Sequence, residues 1–283
     1  NPLRGVTYAD GKFIAASSSP NRTCWSLSGA DEYSVTELTL ADNTGLGDFT
    51  AGMLVKQNEA ITIPTSAFNT ALYTGNGTDQ TITNGIDLAG EGGLLWIKER
   101  SGNATHMLVD STEPPTYTDP NYRTPTLESP YDYARGYYSN AVNTFNSDGF
   151  SVGTSTNTNE DNSSYVAWCF QKAPKYFDLI TWTGTSTAGS QQIVPHNLDA
   201  QPGLVIAKST SNVSDWWVIY KDSSRPTGWS YMYLNYNYQS QGDNSMCIPD
   251  ADNLVLTGGT MAAVGEEYVA YLFAEDETEL IKC

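Results

Sequence analysis

The segment Tyr165-Val166-Ala167-Trp168-Cys169-Phe170 recurs 103 residues later as Tyr268-Val269-Ala270-Tyr271-Leu272-Phe273. Three further pairs of segments match in the same order, at offsets of 104 to 110 residues. These pairs are Leu72–Thr78 with Ile180–Ser186, Gly93–Lys98 with Gly203–Lys208, and Asp148–Val152 with Asp252–Leu256. Four ordered matches at nearly one offset predict two tandem modules, over residues 61–174 and 175–283.

Both modules have the sequence pattern of an all-β fold. Their apolar runs are short, rich in Val, Ile, Tyr and Trp, and bounded by clusters of Gly, Asn, Asp, Ser or Pro. No stretch keeps the helical spacing of apolar residues over a dozen positions. Many short strands with frequent turns favour two tandem β-sandwiches of jelly-roll-like type.

Two regions fall outside the repeat. Residues 1–60 are expected to form an extra N-terminal β arm, or the end of a preceding domain. Val6–Ala16 predicts a hairpin around Asp10-Gly11, and a strand pair is expected in Thr50–Thr65, around Ile61 and Ile63. The Pro-rich and Tyr-rich stretch Glu113–Pro130 predicts an exposed insertion of the first module.

Composition limits the classes of function. Of 283 residues 12% are aromatic, so the chain can bury a core, unlike most acidic disordered chains. The net charge of −18 disfavours binding to nucleic acid, because it would repel a phosphate backbone. No run of about 18 apolar residues occurs, so no membrane insertion is expected.

Catalytic and metal-binding patterns are weak, and we predict neither an enzyme nor a cofactor. His106 and His196 lie on different modules and no GxSxG motif is present, so structural hydrogen bonding is the favoured role for His196. The carboxylate pairs Glu266/Glu267 and Asp250/Asp252 are interpreted as solvated acids. Glu266 and Glu267 are adjacent and point to opposite faces of a strand, and Asp250 and Asp252 could share a face but are expected at a turn.

Metal and disulfide sites have little support in the spacing of possible ligands. Asn157, Asn159 and Asp161 imitate part of a calcium loop, but Asn162 replaces the Gly at its sixth position and the terminal Glu is absent. No metal site is predicted, although an acidic loop could still hold one calcium ion. The cysteines include no CxxC pair and are expected to be buried thiols, with one structural disulfide as the alternative; they are Cys24, Cys169, Cys247 and Cys283.

Aromatic residues are densest between positions 216 and 236, and two interpretations of them stay open. Their alternation is typical of a strand that buries one aromatic face in a core or subunit interface. Exposed rings could instead stack on sugars of a receptor glycan. The candidates for glycan contact are Trp216, Trp217, Trp229, Tyr231 and Tyr233, with Tyr236 nearby.

Several of these segments resemble the tandem modules of tailed-phage virion proteins, which are common in phages of marine bacteria. The resemblance covers residues 68–283 well and residues 1–60 weakly. Residues Leu3–Ala16 also resemble a repeat of phage tail proteins. The segments that carry the resemblance are Phe145–Phe150, Ser164–Phe170, Phe177–Gly184, His196–Leu198, Pro202–Lys208 and Trp216–Tyr220.

The resemblance implies a structural and adhesive component of the virion surface, similar to a tail fibre, with no catalytic residue to carry over. It further implies a homo-oligomer, typically a trimer, that contacts other virion proteins and a host-surface glycan. The alternatives are a capsid-decorating protein and a secreted lectin-like carbohydrate-binding module. Leu280–Cys283 resembles the start of a further module, with a strand that closes the second module as the alternative, and in either case we expect the natural chain to extend beyond residues 1–283.

Overall fold

A computed structural model of the protein describes residues 5–9, 12–17, 33–40, 49–56, 67–115, 123–187, 190–237 and 242–275, with side chains from residue 67 onward. The chain divides into two compact units, residues 1–62 and 63–283. No helix in the described part is long and apolar enough to cross a membrane.

The N-terminal unit contains one antiparallel sheet of order β1-β2-β4-β3. Strands β1 and β2 pair antiparallel from Gly5 with Ala16 to Ala9 with Lys12, which confirms the predicted hairpin. The predicted strand pair around Ile61 and Ile63 lies outside the described residues. The strands are β1 (Gly5–Ala9), β2 (Lys12–Ser17), β3 (Tyr33–Leu40) and β4 (Phe49–Lys56).

The first half of the second unit builds two antiparallel sheets, of order β10-β9-β8-β7-β13-β5 and β11-β12-β6. One helical turn, α1 (Thr156–Asn159), precedes the last strand. The strands are β5 (Phe68–Thr74), β6 (Gln80–Thr83), β7 (Gly93–Glu99), β8 (Met107–Asp110), β9 (Arg123–Glu128), β10 (Gly136–Ser139), β11 (Val142–Asn146), β12 (Gly149–Val152) and β13 (Ser164–Gln171).

The second half has the same strand order, in sheets β19-β18-β17-β16-β22-β14 and β20-β21-β15. Each strand takes the place of the strand nine positions earlier, and the two segments that first revealed the repeat lie on β13 and β22. The strands are β14 (Phe177–Thr183), β15 (Gln191–Pro195), β16 (Pro202–Ser209), β17 (Trp217–Lys221), β18 (Trp229–Tyr233), β19 (Gly242–Asp243), β20 (Cys247–Pro249), β21 (Asn253–Thr257) and β22 (Glu267–Ala274). The predicted all-β, sandwich-like fold is confirmed.

Each half packs its three-stranded sheet on one face of its six-stranded sheet. In the first half, Leu95 and Ile97 of β7 meet Phe150 of the small sheet in a buried cluster. In the second half, Val205 of β16 packs with Leu254 in the equivalent cluster. Two faces of apolar residues, contributed by alternate strand positions, therefore close each sandwich.

The two six-stranded sheets also pack on each other, so the unit has four layers, with three, six, six and three strands. Strands between two packed faces lose the simple alternation of buried and exposed residues, which explains the unbroken apolar runs of the repeat. The shared core between the large sheets contains Leu94, Leu108, Leu127, Phe177, Ile206, Trp216, Val218 and Tyr271.

The predicted insertion Glu113–Pro130 is wrong for its second part. Residues Arg123–Glu128 form β9, a strand of the six-stranded sheet with β18 as its counterpart. Thr124 is fully buried, and its hydroxyl donates to the carbonyl of Val142 at 2.8 Å and accepts from the amide of the same residue at 2.9 Å. These bonds satisfy a polar residue that would otherwise be costly inside a sandwich. Residues 116–122 lie outside the described part of the chain.

Candidate binding surface at the junction of the two halves

The three tryptophans that the sequence suggested for glycan contact are buried. Trp216 is 0% exposed in the shared core, while Trp217 and Trp229 lie buried in the second sandwich core. A sugar ring needs an open aromatic face, so we correct the expected glycan contact at Trp216, Trp217 and Trp229. Of the two interpretations left open by the sequence, core packing holds for these residues.

Tyr231 and Tyr233 are half-buried against the same core. Their ring centroids lie 5.4 Å and 4.8 Å from that of Trp217. Tyr233 in turn packs edge-on against Tyr236, which is 45% exposed. This cluster continues the core to the surface, and only its outer edge could contact a ligand.

The two histidines make hydrogen bonds in their own modules. His196 is buried; its Nδ1 accepts from the Leu198 amide at 3.3 Å, and its Nε2 lies 3.2 Å from the Asp250 carbonyl oxygen. The structural role predicted for His196 is confirmed. His106 accepts from the Trp96 indole at 2.9 Å. Burial, together with the charge of Lys98, lowers the pKa of His106 and so favours its neutral form.

One carboxylate of each predicted pair holds local structure. Asp250 accepts from the backbone amides of Asp252 and Asn253 at 2.8 Å and 2.7 Å, which closes a turn before β21. Glu266 accepts from the Tyr268 hydroxyl at 2.9 Å. Asp250 and Glu266 therefore each have a hydrogen-bond partner within three residues along the chain.

The calcium-like segment and the described cysteines are also structural. Asn159 is buried and donates to the carbonyls of Thr78 and Gly153 at 2.6 Å and 2.7 Å. Within the described ranges, no group of three or more His, Cys, Asp or Glu is placed to hold a metal ion. Cys169 and Cys247 are buried free thiols whose pKa values burial raises to about 12. Cys24 and Cys283 lie outside the described residues.

A buried ion pair stands where the two halves meet. Arg135 Nη2 lies 2.9 Å from Asp110 Oδ2, and its Nη1 lies 3.2 Å from Glu113. The Tyr271 hydroxyl of the second half donates to the same Asp110 oxygen at 2.8 Å, and the Thr112 hydroxyl also donates to Asp110. The fully buried Tyr271 and the Asp110 side chain, which is 2% exposed, thus link both sheets through one carboxylate.

The segment Ser129–Arg135, which we call the junction loop, connects β9 to β10 and is held by the second half. The Trp216 indole donates to the carbonyls of Glu128 and Tyr131 at 3.1 Å and 3.0 Å. The Ser214 amide donates to the Asp132 carbonyl at 2.9 Å, and the Arg135 amide donates to that of Thr210 at 2.9 Å. Four bonds along the eight residues from Glu128 to Arg135 fix the path of this loop on the neighbouring half.

The junction loop presents aromatic rings to solvent. Tyr131 and Tyr133 stack with their centroids 5.1 Å apart and a tilt of 22°, and they remain 40% and 58% exposed. Tyr137 of β10 is 54% exposed and donates from its hydroxyl to Glu113 at 2.8 Å. We name these three residues the tyrosine patch.

A cleft of about 400 Å³, the junction cleft, opens beside this loop. Its polar groups are hydroxyls and carboxylates around the partly buried Arg135 guanidinium. They come from Thr112 and Glu113 of the first half and from Thr181, Thr183 and Glu267 of the second.

Sequence reasoning missed the tyrosine patch. The residues stand in Tyr131-Asp132-Tyr133-Ala134-Arg135-Gly136-Tyr137, directly after the stretch interpreted as an insertion. The density of tyrosine was a usable signal. The anchoring by Trp216, 85 residues away along the chain, was not visible in the sequence.

Comparisons with known proteins match the second compact unit to a protein family. No curated protein and no solved structure matches the chain. Residues 63–278 match a family model described as Domain of unknown function (DUF7483), and this match begins where the second compact unit begins. Because the match covers well over half of the chain, the protein belongs to the DUF7483 family.

Proposed function

We propose that the protein is a non-enzymatic structural and attachment protein of a tailed-phage virion, similar to a tail fibre, on the virion surface. The observation that carries this proposal is the locked pairing of the two halves. Their shared core and the Asp110–Arg135 ion pair hold the junction loop at a fixed place. A rigid block that presents anchored loops suits attachment, since little conformational entropy is lost when such loops bind.

The resemblance of the repeat segments to phage virion modules supports the same proposal. A homo-oligomer, most simply a trimer, would multiply weak contacts with the host surface into avidity. A net charge of −18 would keep such assemblies soluble and separate outside their contacts. Other virion proteins would then be the partners that carry the module.

A secreted lectin-like carbohydrate-binding module is the second candidate. The tyrosine patch favours it, because Tyr131 and Tyr133 expose rings in a loop that is already ordered. The two candidates differ in where the protein is found, not in the chemistry of this surface.

Labelling of virus particles tests the proposal. Antibodies against the 63–283 unit would be applied, with gold conjugates, to purified particles of the phage that encodes the chain and viewed by electron microscopy. We expect label at the tail; label over the capsid would instead support a decorating protein. Particles without label, or the antigen found only as a soluble secreted protein, would overturn the proposal. Light scattering of the purified full chain measures its oligomeric state.

A further inference from the structure

We infer that the tyrosine patch and the junction cleft together form a binding site for a neutral oligosaccharide. This inference deepens the proposed attachment role and rests on it for its biological setting. Residues of both halves build the site: Tyr131, Tyr133 and Glu113 come from the first half, and Thr181 and Glu267 from the second.

The aromatic part of the site is exposed and preorganised. Large apolar rings are usually covered, and a group of them held open to solvent marks an interaction surface. Tyr133 is 58% exposed although its loop is fixed by the Trp216 indole and the Ser214 amide. Tyrosine offers a flat apolar face with a polar edge, which suits the mixed C–H and hydroxyl surface of a sugar ring.

The polar part of the site selects against anions. Arg135 already pairs with Asp110 and Glu113, so its charge is compensated within the protein. The nearby Lys208 is buried, and its ammonium group donates to the carbonyls of Ser209 and Asn212. Neither cation is left to bind a carboxylate or sulfate.

The groups that remain are acceptors and hydroxyls. Glu113 keeps 43% of its side chain exposed, Glu267 and the threonines Thr181 and Thr183 are exposed, and all four line the cleft. Carboxylates accept hydrogen bonds from sugar hydroxyls and repel acidic groups. A ligand rich in neutral hydroxyls fits this set, whereas a sialylated or sulfated glycan does not.

The two parts of the site are close enough for one oligosaccharide to touch both. Arg135 lines the cleft at the end of the loop that carries Tyr131 and Tyr133, and the four peptide steps from Tyr131 to Arg135 span at most about 14 Å when extended. A ligand of a few sugar units is therefore long enough to reach both the tyrosine pair and the cleft.

Binding to defined oligosaccharides tests the inference. The full chain would be titrated calorimetrically with neutral hexasaccharides of glucose, galactose, mannose and N-acetylglucosamine, and with sialylated and sulfated oligosaccharides, up to about 1 mM. We expect at least one neutral hexasaccharide to bind. Tyr133→Ala should weaken that binding about tenfold, and Tyr133→Trp should retain it, because a ring is what the site needs.

Matched variants separate this surface from others. Tyr236→Ala removes a tyrosine of similar exposure from the other aromatic cluster, and Ile193→Ala removes an exposed apolar residue of β15. Both should bind like the unaltered protein, and unchanged melting temperatures would show that all variants are folded. Binding of only the acidic glycans, loss with Tyr236→Ala but not with Tyr133→Ala, or no binding of any neutral hexasaccharide would overturn the inference. None of these results alters where antibodies label the virion, so the proposed function stands or falls separately.

Discussion

The two halves of the 63–283 unit close their sandwiches in the same way. Gly75 and Gly184 each lie against a backbone carbonyl of the loop before the last strand, where an added Cβ would stand 2.1 Å from the oxygen. In that loop, the amide five residues before Tyr165 or Tyr268 donates to the tyrosine hydroxyl, at 2.9 Å and 3.2 Å. The repeat thus reproduces a specific closure of the sandwich in addition to the strand order.

Each large sheet has a second face, turned away from its own small sheet and towards the other half, and the burial of this face differs between the halves. Phe177 is 0% exposed, whereas Phe68 at the equivalent position of the first half is 43% exposed. Tyr271 is fully buried and bonded to Asp110, but its counterpart Trp168 is half-buried. The repeated strands therefore serve two roles. Residues that face the small sheet close each sandwich in the same way, whereas residues on the opposite face of the large sheet differ according to what packs on them.

Replacing Phe177 and its equivalent Phe68 by alanine should give the largest difference in stability between the two halves. Phe177→Ala should lower the free energy of unfolding by about 3–5 kcal/mol, since it empties a site in the shared core. Phe68→Ala should cost about 1 kcal/mol, because much of that ring is already in water. Guanidinium denaturation of both variants measures the two values, and equal losses would contradict the unequal cover of the two faces.

The ion pair at the junction should come next. Asp110→Ala should cost about 3 kcal/mol, because it leaves the Arg135 charge and the Tyr271 hydroxyl without their buried acceptor. Glu113→Ala removes the other carboxylate of the same arginine, but it is half-exposed and should cost less than about 1 kcal/mol. Denaturation curves of the two variants compare them directly. A larger loss for Glu113→Ala would show that the buried contact is not the one that links the halves.

The shared closure predicts a matching effect in both halves. Gly75→Ala and Gly184→Ala should each cost about 2 kcal/mol, as the backbone must move to admit a methyl group. Gly259→Ala is the control, since nothing lies within 4 Å of an added Cβ there. Thermal unfolding of the three variants would show two similar drops and one unchanged value. A drop in only one half would mean that the two closures are not equivalent.

The smallest expected effect concerns Lys208, a buried residue of β16 on the same face of the strand as Ile206. Burial lowers its pKa to about 8, and the charges of Asp132, Asp215 and Glu266 offset part of that shift. Between pH 8 and the ordinary lysine pKa of about 10.4, the unfolded chain holds a proton that the folded protein has released, so stability rises with pH in this window.

Comparison with Lys208→Met isolates this effect, because the titrations of tyrosines and cysteines are common to both proteins. The unfolding free energy of the unaltered protein should gain on that of the variant by about 1 kcal/mol between pH 8 and pH 9. Urea denaturation at closely spaced pH values measures the gain. Parallel curves for the two proteins would show that Lys208 is not desolvated.

Much of the fold was predictable because it depends on local pattern. The turn chemistry of Asp10-Gly11 indicated the first hairpin, and short β-rich runs indicated an all-β chain. Strand β9 escaped prediction, since Pro125 and two threonines do not have the composition of a buried strand. Its threonines are tolerated inside only through bonds such as that of Thr124 with Val142, which the sequence does not reveal.

The candidate surface was less predictable. Trp216 and Trp217 are neighbours that point to opposite faces of one sheet, and both faces are buried. The density of aromatic residues gave no sign of this, because a strand packed on two sides and a strand with an exposed aromatic face can have similar composition. The exposed rings belong instead to a loop whose position depends on the opposite half.

The amino-acid sequence by itself determined most of the β-strands and their repeat, since these depend on residue type and on spacing within about a hundred residues. Only the tertiary structure decided that the two large sheets share a core, that Asp110 and Tyr271 meet across it, and that Tyr131 and Tyr133 stay open beside the junction cleft. The physical reason is that burial is a property of surfaces in contact. A sheet face with one pattern of residues is buried where another sheet packs on it and exposed where none does.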